Sequence, residues 1–314
     1  MLECAFVARV VFMGTPEFAV PTLRALAQAH TVIGVVTQPD RPAGRGRPMV
    51  ASPVKEFAQQ AGLPVIQPRK LREPDAMAQL RAWAPDLIVV AAFGQILKPA
   101  VLGLPPSGCL NVHASLLPRY RGASPIAAAI LAGDAETGVT LMQMDEGLDT
   151  GPTLAQRAEP IRPDDTTPTL AARLAELGAS LLIEILPQYL AGQITPRPQD
   201  SALATYAPQL KKEDGHLDFT RPAVELERQV RAFTPWPGAF ALWGKQPLKI
   251  LRVAVVAGGF QGQAGLIMPS EHGPTVACGE GALALLQIQP PGKKPMAGAD
   301  FMRGARGFVG AKLA

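Results

Sequence analysis

The chain reads as an α/β protein with a smaller β-rich domain behind it, and three observations predict this. Before Ala191, short β-branched runs alternate with longer helical patterns, the mark of a mostly parallel sheet with helical crossovers. "DLIVVAAF", Asp86–Phe93, is a continuous apolar run, suited to a central strand covered on both faces. Beyond Ala191, short alternating runs are parted by Gly and Pro, which suits a small barrel.

Taken in order, "RVVFM" reads as the first strand and Pro16–Ala29 as a helix with Pro near its first turn. "TVIGVVT" is the second strand, followed by a loop full of Pro, Gly and Arg. Ser52–Gln60 is helical, Ser52 being the N-cap and Pro53 the first helical position. "LPVIQ" is a short third strand, Asp75–Trp83 a helix and "DLIVVAAF" the central strand. "GCLNVH" follows as a strand and Pro125–Leu131 as a helix. "TGVTLMQM" and "TLAQRAEPI" are strands, and Thr167–Leu190 is one long helix. "GQITPRPQDSALATYAPQLKKEDG" has no apolar period and reads as a linker. One helix, Ala223–Phe233, precedes the runs "GAFALW", "LKILRVAVV", "AGLIM", "PTVAC" and "ALALLQIQ". The division is therefore a Rossmann-like domain over 1–190, a linker over 191–210 and a small C-terminal OB-like β-barrel domain over 211–314.

Composition excludes several classes. Hydrophobic residues make up 47% and charged residues 18%, ordinary for a globular chain and wrong for disorder. Residues 1–205 hold 17 Lys and Arg against 18 Asp and Glu, a net of −1. Residues 206–314 hold 13 against 8, a net of +5. That asymmetry suits either an anionic partner engaged by the second part or a solubilising surface. Cys4, Cys109 and Cys278 stand far apart, and no CxxC or paired His spacing occurs, so neither a disulfide framework nor a metal site is expected. A reducing cytoplasm is the expected compartment. The apolar start is cut by "GTPE", and no run reaches the ~18 apolar residues of a membrane span. "GTPEFA" after the first strand has one glycine where a dinucleotide fingerprint has three, and no GxxxxGK[ST] occurs, so no nucleotide cofactor is indicated.

Ligands of open parallel sheets bind at the carboxyl ends of strands. There, Asn111 and His113 are two apart and face the same side of their strand. An uncharged amide donor beside an imidazole suits oxyanion formation with proton transfer; the same pair could equally satisfy nearby backbone groups. "QMDEGLDTGP" adds Asp145, Glu146 and Asp149 in a Gly-punctuated loop. An acid reaching His113 would orient it, although acidic loops are also ordinary solvated turns. Cys109, on the same strand, reads as inert packing rather than a nucleophile.

"NVHASLLPRYRGASP" with "MDEGLDTG" downstream resembles the folate-dependent formyltransferases that use 10-formyltetrahydrofolate. "TQPDRPAGRG", "SPVK", "GDAETGVTLMQMD", "RAFTPWPGA" and "QPPGKKPM" extend the resemblance over essentially the whole chain. They point to the branch acting on methionyl-tRNA. The resemblance implies transfer of a formyl group to the free α-amine of methionine on initiator methionyl-tRNA, with the folate as co-substrate. It implies a catalytic trio of Asn111, His113 and Asp149. It also implies folate contacts from Ser115, Leu116, Leu117 and Pro118, and from Phe93, Gly94 and Ile96 in the loop walling the pterin. Arg41, Arg45 and Arg47 of the Gln38–Pro53 loop would enter the tRNA acceptor end, Arg45 first among them, and Lys211, Lys212, Lys293 and Lys294 would meet the phosphate backbone. Ala114 stands where relatives often carry glycine, and Pro48 follows Arg47 where they tend to have lysine. No membrane partner is implied, and a monomer is expected. A glycinamide ribotide or amino-sugar formyltransferase fits "GTPEF", "PDRPAGRG" and "PGKKPM" less well. A catalytically dead nucleic-acid-binding scaffold does not explain an intact trio.

Overall fold

The computed structural model describes residues 7–42, 48–256 and 262–314. They pack as two compact units, one from the described parts of Met1–Pro125, Glu136–Pro160 and Ala171–Ala207. Ile126–Ala135, Ile161–Leu170 and the described parts of Pro208–Ala314 make up the other.

The chain opens with β1 (Arg9–Gly14), α1 (Val20–Ala29) and β2 (Thr31–Val36). The helix expected from Pro16 begins as a 3-10 turn, Glu17–Ala19, and becomes α-helical only at Val20. A two-residue ladder joins β3 (Arg41–Pro42) to β4 (Met49–Val50). In α2 (Pro53–Gln60) the Ser52 side chain accepts from Lys55 N and Pro53 opens the helix, as its sequence predicts. Next come β5 (Val65–Ile66), α3 (Pro74–Trp83), β6 (Leu87–Ala91), the single turn α4 (Pro99–Leu102) and β7 (Cys109–His113). After β8 (Arg121–Gly122) and α5 (Pro125–Ala132) lie β9 (Glu136–Gln143), β10 (Thr153–Pro160), α6 (Thr167–Leu190) and β11 (Tyr206–Ala207).

Seven strands form one sheet in the order β10-β9-β7-β6-β1-β2-β5. Neighbours from β5 through β7 are parallel, while β9 runs against β7 and β10 against β9. The chain adds β2 and β5 on one side of β1, then β6 and β7 on the other. The topological switch therefore lies between β1 and β6, where Gly14 pairs with Ala91. A Cβ on Gly14 would stand 2.9 Å from the Ala91 carbonyl and 2.8 Å from the Ala19 methyl, so this crossing closes only on glycine. Both β6 and β7 are buried throughout. On the face away from Asn111 and His113, α6 comes close at Gly178, where a Cβ would meet a Val112 methyl at 2.6 Å.

In the second unit, α7 (Ala223–Ala232) precedes β12 (Ala239–Trp243), β13 (Gln246–Val256), β14 (Ile267–Ser270), β15 (Gly273–Ala277), β16 (Ala282–Gln289) and β17 (Met296–Ala297). The helix α8 (Gly298–Gly304), which the sequence pattern does not announce, follows. The strand order is β12-β13-β16-β15-β14, with β17 beside β16. Its core gathers Leu226, Val230, Ile250, Leu283, Leu285 and Phe308. Among the described residues β12 and β14 do not pair directly, so the barrel is not closed strand to strand. Residues 311–314 span the gap instead. Leu242 and Ala314 exchange backbone hydrogen bonds, and Ile267 N donates to the Ala311 carbonyl.

Candidate active site

Strand β7, one strand removed from the switch point, carries Asn111 and His113 on one face, buried to 8% and 6% exposure. Register places Asn111 opposite Met142 and His113 opposite Thr140 of β9. The chain leaves β9, loops through Asp149 and returns in β10. Gly151 is obligatory there, because a Cβ would stand 1.9 Å from the Gln143 carbonyl. Asp145 accepts from Gly147 N and from the Thr150 hydroxyl. It therefore stitches its own loop, while Glu146 is exposed. Of the three acids only Asp149 reaches β7.

Asp149 Oδ2 lies 3.7 Å from His113 Nδ1, and Asn111 Nδ2 donates to Asp149 Oδ1 at 3.4 Å. Gly122 N donates to Oδ2 at 2.8 Å. His113 Nε2 is 3.0 Å from the Tyr120 carbonyl. A carbonyl only accepts, so Nε2 carries a hydrogen, and Nδ1 is the nitrogen free to gain or lose a proton opposite Asp149. Both Tyr120 (φ 59°) and Asp149 (φ 52°) are left-handed, a conformation costly for residues with a Cβ and held only by surrounding contacts.

The segment between these groups is pinned from within. Ser115 Oγ donates to the Arg119 carbonyl at 2.6 Å. Thr140 Oγ1 donates to the Ser115 carbonyl at 2.6 Å and accepts from Leu117 N at 3.0 Å. Gln156 Nε2 donates to the Leu117 carbonyl at 2.6 Å. Ser115 and Leu117 are buried, whereas Leu116 and Pro118 are half-exposed, so those two can offer surface to a ligand.

Beside the switch point, Ala92 (φ 45°) and Gly94 (φ 79°) turn the chain after β6. The Phe93 ring is buried in the core at 2% exposure. Its carbonyl accepts from the Thr15 hydroxyl and Gln38 Nε2, each at 3.2 Å. What Phe93 presents to the loop surface is therefore backbone. Ile96, by contrast, is 69% exposed, as is Leu148 at 54%. Ile96 thus shows apolar surface two residues after the left-handed Gly94. Between Ile96 and α3 lies a cleft of about 370 Å³, lined also by Lys70, Arg72 and Lys98.

Arg41 is exposed and donates to Gln38 Oε1 at 3.2 Å. Arg45 and Arg47 lie outside the described residues. Lys211, Lys212, Lys293 and Lys294 are all exposed. On β7, Cys109 is 1% exposed, and burial pushes its thiol from 9.0 up to about 12, which removes it as a nucleophile.

Several residues that shape the site carry no signal in the sequence. Tyr120 acts through its carbonyl, which has no side-chain signature. Thr140 sits on a strand whose apolar pattern masks it, and Gln156 is one of several polar residues on its strand. Gln199, inside the stretch that reads as a linker, donates to the carbonyls of Asp149 and Gly151. As far as Ala207 that stretch is built into the first unit: Arg197 bridges Thr153, and β11 pairs in parallel with β8.

Comparison with known proteins adds to this geometry. The formyl transferase family matches residues 8–186, and the family described as formyl transferase, C-terminal domain, matches residues 209–306. The methionyl-tRNA formyltransferase of Myxococcus xanthus (strain DK1622) is 54% identical, over 94% of this chain and 95% of its own. That of Pseudomonas paraeruginosa (strain DSM 24068 / PA7) is 53% identical, over 95% and 96%. Among solved structures, HypX from Aquifex aeolicus in complex with tetrahydrofolic acid superposes with a TM-score of 0.65 at 17% identity. The match covers 97% of this chain and 48% of that one. An N-formyltransferase from Helicobacter canadensis, in complex with folinic acid and dTDP-3-aminofucose, gives 0.65 at 20% identity, over 89% of this chain and 99% of that one. These two likenesses concern the fold.

Proposed function

The chain belongs to the formyl transferase family and, within it, to the methionyl-tRNA formyltransferases, and from that premise we propose that Asn111, His113 and Asp149 carry its chemistry. The enzyme transfers the formyl group of 10-formyltetrahydrofolate to the free α-amine of methionine on initiator methionyl-tRNA. The observation that supports the trio is its convergence: three polar side chains from β7 and the β9–β10 loop meet within 3.4 and 3.7 Å.

The folate supplies the formyl carbon as the electrophile. Asn111 has two amide hydrogens. One is directed to Asp149, and the other is available to the formyl oxygen as negative charge gathers there. The attacking amine loses a proton, which the His113 and Asp149 pair receives at Nδ1 or at the carboxylate. That proton leaves with the folate nitrogen as its bond to the formyl carbon breaks. Holding the imidazole by its Nε2–H to the Tyr120 carbonyl leaves the proton-accepting nitrogen a single direction to face. Alignment and charge stabilisation suffice for transfer between two nitrogens, and no covalent enzyme intermediate is needed.

Ser115–Pro118, Gly94, Ile96 and the Phe93 backbone are the proposed folate wall. Arg41, Arg45 and Arg47 are proposed to meet the acceptor end, and the four exposed lysines its phosphates. A monomer in the cytoplasm is the proposed state, in keeping with a role in translation; among the described residues no helix is long and apolar enough to cross a membrane. The test supplies 10-formyltetrahydrofolate with charged initiator and elongator methionyl-tRNAs and measures formylmethionine on each. Formylation of the initiator species is expected, and its absence would sink the reading.

A further inference from the structure

We propose that Gln199 is a positioning residue for formyl transfer, holding the Asp149 carboxylate against Asn111 and His113; the proposal rests on the catalytic role assigned to Asp149. Every hydrogen-bonding site of the Gln199 carboxamide is used. Its Nε2 donates to the carbonyl of Asp149 at 2.8 Å and to that of Gly151 at 2.7 Å. Its Oε1 accepts from Arg121 Nε at 3.1 Å and from the terminal guanidinium nitrogen at 2.8 Å. Two donors and two acceptor positions exhaust what an amide can offer.

The partners matter as much as the count. Asp149 adopts a left-handed backbone, φ 52°, which a residue with a Cβ keeps only when its surroundings over-determine it. Gln199 grips the carbonyl of that residue and the carbonyl two residues on, so it clamps the strained turn itself. Arg121, its other partner, is 2% exposed, and a buried guanidinium needs acceptors in fixed places. The residue after Arg121 supplies the amide that donates to Asp149 Oδ2. One side chain therefore ties together the backbone of Asp149 and the strand that binds its carboxylate. Pairing of β11 with β8 and the bridge between Thr153 and Arg197 hold Gln199 from either side along the chain. Glutamate at this position would keep the length and the acceptors for Arg121, yet would aim lone pairs at two carbonyls. Asparagine would be one methylene short.

The experiment measures kcat and KM for both substrates in Gln199→Glu, Asp149→Ala and the double variant, with thermal unfolding of each. Gln199→Glu is expected to lose about 10- to 100-fold in kcat, with both KM values within about twofold of the parent. In the Asp149→Ala background the same change is expected to cost nothing more, because its effect passes through Asp149. Gln199→Met removes the donors without adding charge and is expected to show the same split, which keeps the test open if the glutamate variant unfolds. Parental kcat in both Gln199 variants overturns the proposal. So does a loss that multiplies with that of Asp149→Ala. An Asp149→Ala enzyme with parental kcat would instead overturn the assignment of Asp149 itself, whatever the Gln199 variants do.

Discussion

His113 and Asp149 face each other across 3.7 Å, Nδ1 to Oδ2, while the opposite imidazole nitrogen is committed to the Tyr120 carbonyl at 3.0 Å. Any proton that the proposed mechanism passes through this histidine is thereby confined to one edge of the ring. Asp149→Asn replaces a proton acceptor by a neutral amide and is expected to lower kcat by about 10²- to 10⁴-fold. Asn111→Ala removes a donor to developing charge and is expected to cost about 10²- to 10³-fold. Binding of the charged tRNA, read by filter retention or anisotropy, is expected to change little in either. A loss carried mainly by tRNA affinity would contradict both roles.

Thr140 is fully buried and its hydroxyl joins Ser115, Leu117 and Gln156. Thr140→Val keeps the shape but strands the Leu117 amide and the Ser115 carbonyl. Leaving a buried group unpaired costs about 1–3 kcal/mol, to be read from urea unfolding. Because the same bonds pin the proposed folate segment, KM for the folate is expected to rise as well. Unchanged stability would mean that the amide finds another partner.

The buried Cys109 thiol gives a pH signature. Its folded value is about 12 against an ordinary 9.0. Below 9 the thiol is protonated in both states and stability is whole. As pH rises from 9 toward 12 the unfolded chain loses this proton and the folded chain does not, so stability falls. Cys109→Ala is expected to start lower, because of the cavity it leaves, and to decline less between about pH 8 and about pH 10.5. Parallel decline in parent and variant would remove Cys109 as the cause. Formyl transfer near neutral pH is expected to survive the change.

The lysine pair in "QPPGKKPM" bears on affinity. Both side chains are exposed, and phosphate contacts made through such lysines release counterions from the tRNA. Replacing Lys293 and Lys294 together is expected to weaken binding of initiator and elongator tRNA alike. It should also lower the slope of log K against log salt by about 0.7–0.9 per lost contact. A slope equal to the parent's would place these lysines off the RNA.

Much of this architecture is legible in residue order. Period-two spacing puts Asn111 and His113 on one face, and Ser52 followed by Pro53 marks the start of α2 to the residue. The resemblance singles out Asp149, and the structure gives a physical reason to separate it from Asp145, which is spent on its own loop. Phe93 reads as a ligand wall, but its ring packs into the core because β6 continues the apolar run directly into it. Gln199 is invisible for a different cause. The segment around it is ordered by hydrogen bonds to distant carbonyls, and such contacts impose no periodicity on the sequence that makes them. Antiparallel entry of β9 and β10 is likewise hidden, since a strand's composition does not record its direction.

The bridging of β12 and β14 by residues 311–314 bears on the company the protein keeps with itself. An open strand edge presents unpaired amides and carbonyls that any extended peptide can adopt as a template. In this protein the same four residues satisfy part of both edges. Their removal would therefore uncover two nucleation sites for intermolecular β-pairing, and the first symptom would be aggregation during expression rather than a loss of catalytic power.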